Sequence, residues 1–232
     1  MIHPSQLTDQ FIRDVDDYAE ELFFDQNDAV LQKTIELSNE AGLPSHNVSP
    51  TQDRMLAMLV QLKPDKRVLE IGTLVGYSTI YFGRVLLSVK SNDAKLITLE
   101  KNLKCAAIAK ENTERVGLSS IVDIKIGAAI DFLDKLISKN EAAFDLIFID
   151  ADKINNTEYY KRTMQLVKSG TLIVADNVIK AGEVLDKSSQ DPRVKGVRAF
   201  NDYVSKDNRV CATAIQTVGC KGYDGFAMIL VK

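Results

Sequence analysis

Apolar residues recur at three- and four-residue spacing through the amino-terminal part of the chain: Phe11, Val15, Tyr18 and Leu22, then Leu31, Ile35 and Leu37. That period belongs to amphipathic helices. Gly42-Leu43-Pro44 breaks the run, and Ser49-Pro50-Thr51 opens another helix through Met55, Leu59 and Leu62, ended by Pro64. From Lys66 onward, short apolar runs alternate with amphipathic stretches. This predicts strands near 67–71, 95–99, 121–126, 145–149 and 171–175, and helices near 77–89, 101–116, 128–139 and 155–168. A helix near 194–206 then leads to two β-like runs, 210–216 and 226–231, joined by a segment holding Gly219, Gly222 and Gly225.

Strands alternating with helices form βαβ units, so the expected fold is α/β: a doubly wound, mostly parallel sheet covered on both faces. The last two runs have only a Gly-rich turn between them and should pair as an antiparallel hairpin at the sheet edge, making seven strands. A single domain, 1–232, is expected, with a helical segment over 1–62 and an α/β core over 63–232.

Composition narrows the classes of function. With 45% hydrophobic and 26% charged residues the chain can bury a sizeable core, and a formal net charge of -3 provides no general attraction to nucleic acid or anionic membrane. The longest stretch without a charged residue, 71–83, is far short of a bilayer span. Eight acids against one base in the first thirty residues are the reverse of a targeting leader, which points to the cytoplasm. Cys105, Cys211 and Cys220 form neither a disulfide framework nor a zinc cage, and are expected to be reduced, buried small hydrophobes.

The segment Glu70-Ile71-Gly72-Thr73-Leu74-Val75-Gly76-Tyr77-Ser78 runs from the first strand through a glycine turn into a helix, the usual ligand site of an open α/β sheet. Gly72 lets backbone approach a ligand, and Gly76 begins a helix whose amino end favours a carboxylate. Glu100 closes the second strand, where an acid can accept both ribose hydroxyl protons. Leu74 stands where the nicotinamide-dinucleotide fingerprint requires its second glycine, which argues for a nucleoside cofactor without pyrophosphate.

These motifs resemble class I S-adenosylmethionine-dependent methyltransferases, which have a Rossmann-like fold. Phe148-Ile149-Asp150-Ala151-Asp152-Lys153 with Tyr159-Tyr160, Asp176-Asn177 and Ser49-Pro50-Thr51-Gln52 are similar to the caffeoyl-CoA and catechol O-methyltransferase family. The resemblance covers the chain from about residue 45 to its end. It implies S-adenosyl-L-methionine as cofactor, held by Val48, Gly72, Gly76, Ser78, Glu100, Ala128 and Asp150, with Glu70 near its methionine moiety. It also implies a homodimer. The plant-type motif Asp-Asn-Thr-Leu-Trp-x-Gly here reads Asp176-Asn177-Val178-Ile179-Lys180-Ala181-Gly182, and the chain has no Trp. The stretch that follows, to Arg193, suits a mobile loop over the pocket.

Asp150 ends one predicted strand and Asp176-Asn177 the next, so all three should face one crevice. Two carboxylates and an amide oxygen form a hard site suited to a divalent cation, Mg²⁺ before Mn²⁺ or Ca²⁺. Two adjacent phenolic oxygens of an aromatic diol would occupy its open positions. The reaction implied is transfer of a methyl group to a phenolic oxygen by in-line displacement, with Lys153 as the candidate base. His3 and His46 are the only histidines, and neither lies beside a strand end. Three alternatives stay open: a methyltransferase acting on nucleic acid or protein, a non-catalytic cofactor-binding module, and a nicotinamide-dependent oxidoreductase.

Overall fold

The structure, a computed structural model, describes residues 8–25, 28–43, 48–63, 66–89 and 93–232. Both histidines, and the helix breaks assigned to Pro44 and Pro64, lie outside these residues.

Three helices precede the sheet: α1 (Asp9–Phe23), α2 (Ala29–Glu40) and α3 (Pro50–Gln61). Thr8, Asp28 and Ser49 cap them, each side chain accepting a backbone N–H from the first turn. The expected apolar stripes do not all face inward. Val15, Tyr18 and Leu22 of α1 are exposed, and α2 buries Leu31, Thr34 and Ser38 while Ile35 faces out. Leu31 packs with Ala57, Tyr77, Ile80 and Tyr81, so docking sets which face of α2 is covered.

The α/β part runs β1 (Arg67–Ile71), α4 (Tyr77–Ser88), β2 (Lys95–Glu100), α5 (Leu103–Arg115), β3 (Val122–Ile126), α6 (Ala129–Ser138), β4 (Phe144–Ile149), α7 (Asn156–Thr163), β5 (Val167–Ala175), α8 (Pro192–Ser205), β6 (Val210–Gly219) and β7 (Gly222–Val231). The strands form one seven-stranded sheet in the order β3-β2-β1-β4-β5-β7-β6. The first five are parallel, and β7 runs antiparallel to β5 and β6, as expected from the sequence. Alternate strand residues serve two cores. Leu69, Ile71, Ile147 and Ile149 pack with Leu133, Tyr160, Val197 and Phe200, whereas Val68, Leu146 and Phe148 pack with Leu56, Val60, Phe82 and Leu86. Burial on both faces is why these strands read as continuous apolar runs. The strand order reverses beside β1, and there the carboxyl ends of β1 and β4 open a crevice.

Several boundaries moved. Helix α7 ends at Thr163 and not near 168, because the Leu166 carbonyl accepts the Phe144 N–H and Val167 already pairs in the sheet. Helix α8 starts at Pro192, where Asp191 caps it. The hairpin strands continue to Gly219 and Gly222, which pair directly, so the broad turn expected between them is only Cys220-Lys221. The segment expected to lack a packed element turns tightly over Lys180–Leu185, with a left-handed kink at Ala181 and Gly182, Val178 buried before it and Val184 packed on the core. Of the cysteines only Cys105 is buried; Cys211 lies on the edge strand β6 and Cys220 in the hairpin turn, both exposed. No described helix is long and apolar enough to cross a membrane.

Candidate active site

Parallel register aligns the strand ends. Ile71 pairs with Leu99 on one side and Ile149 on the other, and Ile149 pairs with Ala175. The next residues continue this pattern: Gly72 N–H donates to the Leu99 carbonyl at 3.0 Å, Asp150 N–H to Ile71 at 2.9 Å, and Asp176 N–H to Ile149 at 3.0 Å. Gly72, Asp150 and Asp176 therefore leave the sheet side by side. A cavity of about 720 Å³ opens here.

Val48, Gly72, Ser78, Glu100, Asp150, Lys153 and Asn177 line that cavity; Glu70, Gly76, Ala128 and Asp176 do not. Gly72 sits at φ 105°, and a Cβ there would fall on the Asp150 carbonyl. Glu100 is fixed by backbone donors, accepting Leu74 N–H at 2.8 Å and Asn102 N–H at 2.7 Å. Gly76 precedes α4 at φ 85°, a left-handed conformation that favours glycine, and a Cβ there would only touch Ala109 of α5. Ala128 is the residue before α6, and its neighbours Gly127 and Ala129 reach the cavity in its place.

Glu70 lies beneath the floor, fully buried, accepting hydrogen bonds from the Ser78, Thr79 and Thr98 hydroxyls. Burial pushes its carboxyl up to about 7 in spite of these donors. The Ser78 hydroxyl is thus turned towards Glu70. Asp176 accepts from Gln52 Nε2 at 3.0 Å, and burial, followed by repulsion from Asp150, raises its carboxyl.

Lys153 opens the 3-10 turn Lys153–Asn155 and donates from Nζ to Asp150 Oδ1 at 2.8 Å. Asp152 accepts from the Tyr159 hydroxyl at 2.6 Å and from Asn155 Nδ2 at 2.7 Å. Tyr159 lines the cavity. Tyr160, its companion in sequence, is instead buried against Phe200 and Tyr203 and donates to Asp207.

Reasoning from sequence missed Asp53. It lies on the buried face of α3 with Leu56 and Val60, and among the described residues neither of its carboxylate oxygens has a hydrogen-bond partner. Burial first, then the charges of Glu70, Asp150 and Asp176, raises its carboxyl well above the usual range. The available signal was an acid at a core position of an amphipathic helix.

The family model described as O-methyltransferase matches residues 22–229. The chain belongs to the O-methyltransferase family. Among its relatives, the catechol O-methyltransferase of Niastella koreensis is 46% identical over 226 residues, covering 97% of this chain and 100% of that one. The catechol O-methyltransferase of Mycobacterium tuberculosis is 39% identical over 206 residues, 89% of this chain and 90% of its own. Among solved structures, the Bacillus cereus O-methyltransferase in complex with SAH superposes with a TM-score of 0.92 at 43% identity, covering 97% of this chain and 100% of that one. TomG from Streptomyces achromogenes, in complex with SAM, gives 0.91 at 35% identity over 97% and 99%.

In this O-methyltransferase the side chains at the ends of β4 and β5, Asp150, Asp176 and Asn177, carry oxygen donors, the chemistry that suits a hard cation. Burial and neighbouring acids push the Asp176 and Asp53 carboxyls up, which favours their protonated forms while the site is without a cation. Among the described residues no three His, Cys, Asp or Glu side chains form a metal-binding group. Asn177 is also held at φ 56°, and Leu74 and Lys180, which share the cavity, have φ 50° and 54°. Strained backbone of this kind concentrates at functional sites.

Proposed function

We propose that this O-methyltransferase moves the methyl group of S-adenosylmethionine to a hydroxyl of a catechol-like small molecule with the help of a divalent cation. The observation that carries the reading is the alignment of Asp150 and Asp176-Asn177 at adjacent strand ends, beside the cavity walled by Gly72 and Glu100. The SAH and SAM complexes of the solved relatives support the cofactor, and the names of the curated relatives support the acceptor.

In this reading Glu100 accepts the ribose hydroxyls, and the backbone of Gly72 and Gly127 lies against the nucleoside. Asp150, Asp176 and Asn177 would hold the cation, which would supply Lewis-acid stabilisation of a developing phenolate. Lys153 receives the phenolic proton at Nζ only from its neutral form, with Asp150 engaged by the cation in place of the ion pair that Nζ makes with it here. Tyr159, braced by Asp152, forms part of the aromatic wall. Closing the two reactants into one cavity supplies alignment, which can be worth up to about 7 to 11 kcal/mol.

The test is transfer of labelled methyl from S-adenosylmethionine to a panel of catechols, with Mg²⁺ and with chelator. Transfer that chelator abolishes and Mg²⁺ restores is expected; transfer that survives complete chelation would remove the cation, and failure on every catechol would remove the acceptor. Lys153→Ala is expected to alter the pH–rate profile, and an unaltered profile would assign the proton to another acceptor.

Homodimerisation belongs to the same proposal: Val15, Tyr18 and Leu22 leave an apolar face of α1 exposed that a second copy would cover. Light scattering that gives the monomer mass would remove it. A cytoplasmic site of action belongs to the same proposal.

A further inference from the structure

Lys180 occupies the position at which the plant-type motif has Trp, and the reaction outlined above gives it no task. It lies three residues after Asn177 and lines the same cavity. Its backbone is tightly prescribed. Lys180 has φ 54°, Ala181 φ 52° and Gly182 φ 87°, and Asp224 Oδ1 accepts the N–H groups of both Ile179 and Lys180, the second at 2.8 Å. Three successive left-handed residues clamped by one carboxylate present this side chain to the cavity at a cost in conformational energy.

The electrostatics of that wall single out the same residue. Lys153 is paired with Asp150 and Lys101 faces Asp152, so these cavity cations already have carboxylate partners. Arg193 is bound through Nε and Nη2 to both oxygens of Asp191, the acid that also feels the charge of Lys180. Asp224 is engaged as the clamp, with a third N–H, that of Gly225, on the same oxygen. Lys180 Nζ itself donates no hydrogen bond and makes no ion pair among the described residues, although the residue is half-buried. The nearby Asp191 is engaged by Arg193, so the half-buried Lys180 ammonium has no direct ion pair and can take an anion from a ligand.

We propose that Lys180 is a specificity-determining residue that binds an anionic substituent of the acceptor, so that the preferred substrates are aromatic vicinal diols carrying a carboxylate. This rests on the acceptor reading above and deepens it. The diol oxygens lie at the Asp150, Asp176 and Asn177 end, and the ring's charged substituent points along the 176–182 segment to Lys180 Nζ. A hydrogen bond to a charged group is worth enough to change kcat/KM by about tenfold.

The experiment compares 3,4-dihydroxybenzoate with 3,4-dihydroxybenzamide, two probes of nearly equal shape that differ in charge. Both are assayed with the full chain, S-adenosylmethionine and Mg²⁺, and their equilibrium binding is measured with S-adenosylhomocysteine in place of the cofactor. Wild type is expected to favour the acid by about tenfold in kcat/KM and in affinity; Lys180→Met should lose that ratio and Lys180→Arg should keep it. Because each protein is judged by its own acid-to-amide ratio, partial loss of folded enzyme does not imitate the result. Equal use of both probes by wild type, or an unchanged ratio in Lys180→Met, overturns the role of Lys180 while leaving the catechol reading intact. If neither probe is bound or methylated, the catechol reading fails, and the inference with it.

Discussion

Gly72 has no space for a side chain: its φ is 105° and the Asp150 carbonyl occupies the place of a Cβ. Gly72→Ala is expected to destabilise the fold by about 1–3 kcal/mol and to weaken cofactor binding, measured by urea denaturation and by calorimetric titration. Wild-type stability would contradict this. Asp150→Ala should lower metal-dependent turnover by about a hundredfold or more. Glu100→Ala should weaken cofactor binding more than it slows the bound complex, and unchanged affinity would take Glu100 off the ribose. These residues were legible because a glycine turn and strand-end acids recur at fixed places in doubly wound sheets. Asp53 and the internal use of Glu70 were not: whether a carboxylate faces a ligand or three hydroxyls depends on neighbours that are distant in sequence, here Ser78, Thr79 and Thr98.

Among the elements, α8 carries a role that its pattern does not announce. Gly196 lies against the 3-10 turn that presents Lys153, and a Cβ there would collide with the Lys153 carbonyl and the Ile154 Cα. Gly196→Ala is expected to shift that turn and reduce turnover by about tenfold or more, with far less effect on cofactor affinity. Equal losses in both would mean general unfolding. Strand and helix types were readable because period 2 or continuous burial contrasts with period 3.6. Element ends were not, since α7 stops where the sheet claims the Leu166 carbonyl, and the hairpin closes at Gly219 and Gly222 because their strands register that far. The same limit applies to α1 and α2, whose apolar residues exceed what the fold covers.

Across the whole molecule, buried acids tie stability to pH. Glu70, raised to about 7, and Asp53, raised well above the usual carboxylate range, bind protons more readily folded than unfolded. Their stabilising contribution is therefore complete below the ordinary carboxylate values and is lost as pH rises through the folded values. The melting temperature of the metal-free protein should fall between pH 5 and pH 8, and Asp53→Asn should flatten that fall. A melting temperature that rises over this interval would contradict the burial of these groups. The helices of the 1–62 segment share cores with the sheet through Leu56, Val60 and Leu31, so a single unfolding transition is expected. Two separate transitions would divide the chain.

The sequence by itself determined the α/β class, the strand count, the glycine turn after β1 and the acids at the strand ends, because those follow from local periodicity and from turn chemistry. Tertiary structure alone decided which acids face the cavity, which helix faces are covered, and that Lys180 stands in the cavity wall with no ion pair among the described residues. Those outcomes depend on parallel register and on packing between segments far apart in the chain, and no local pattern encodes them.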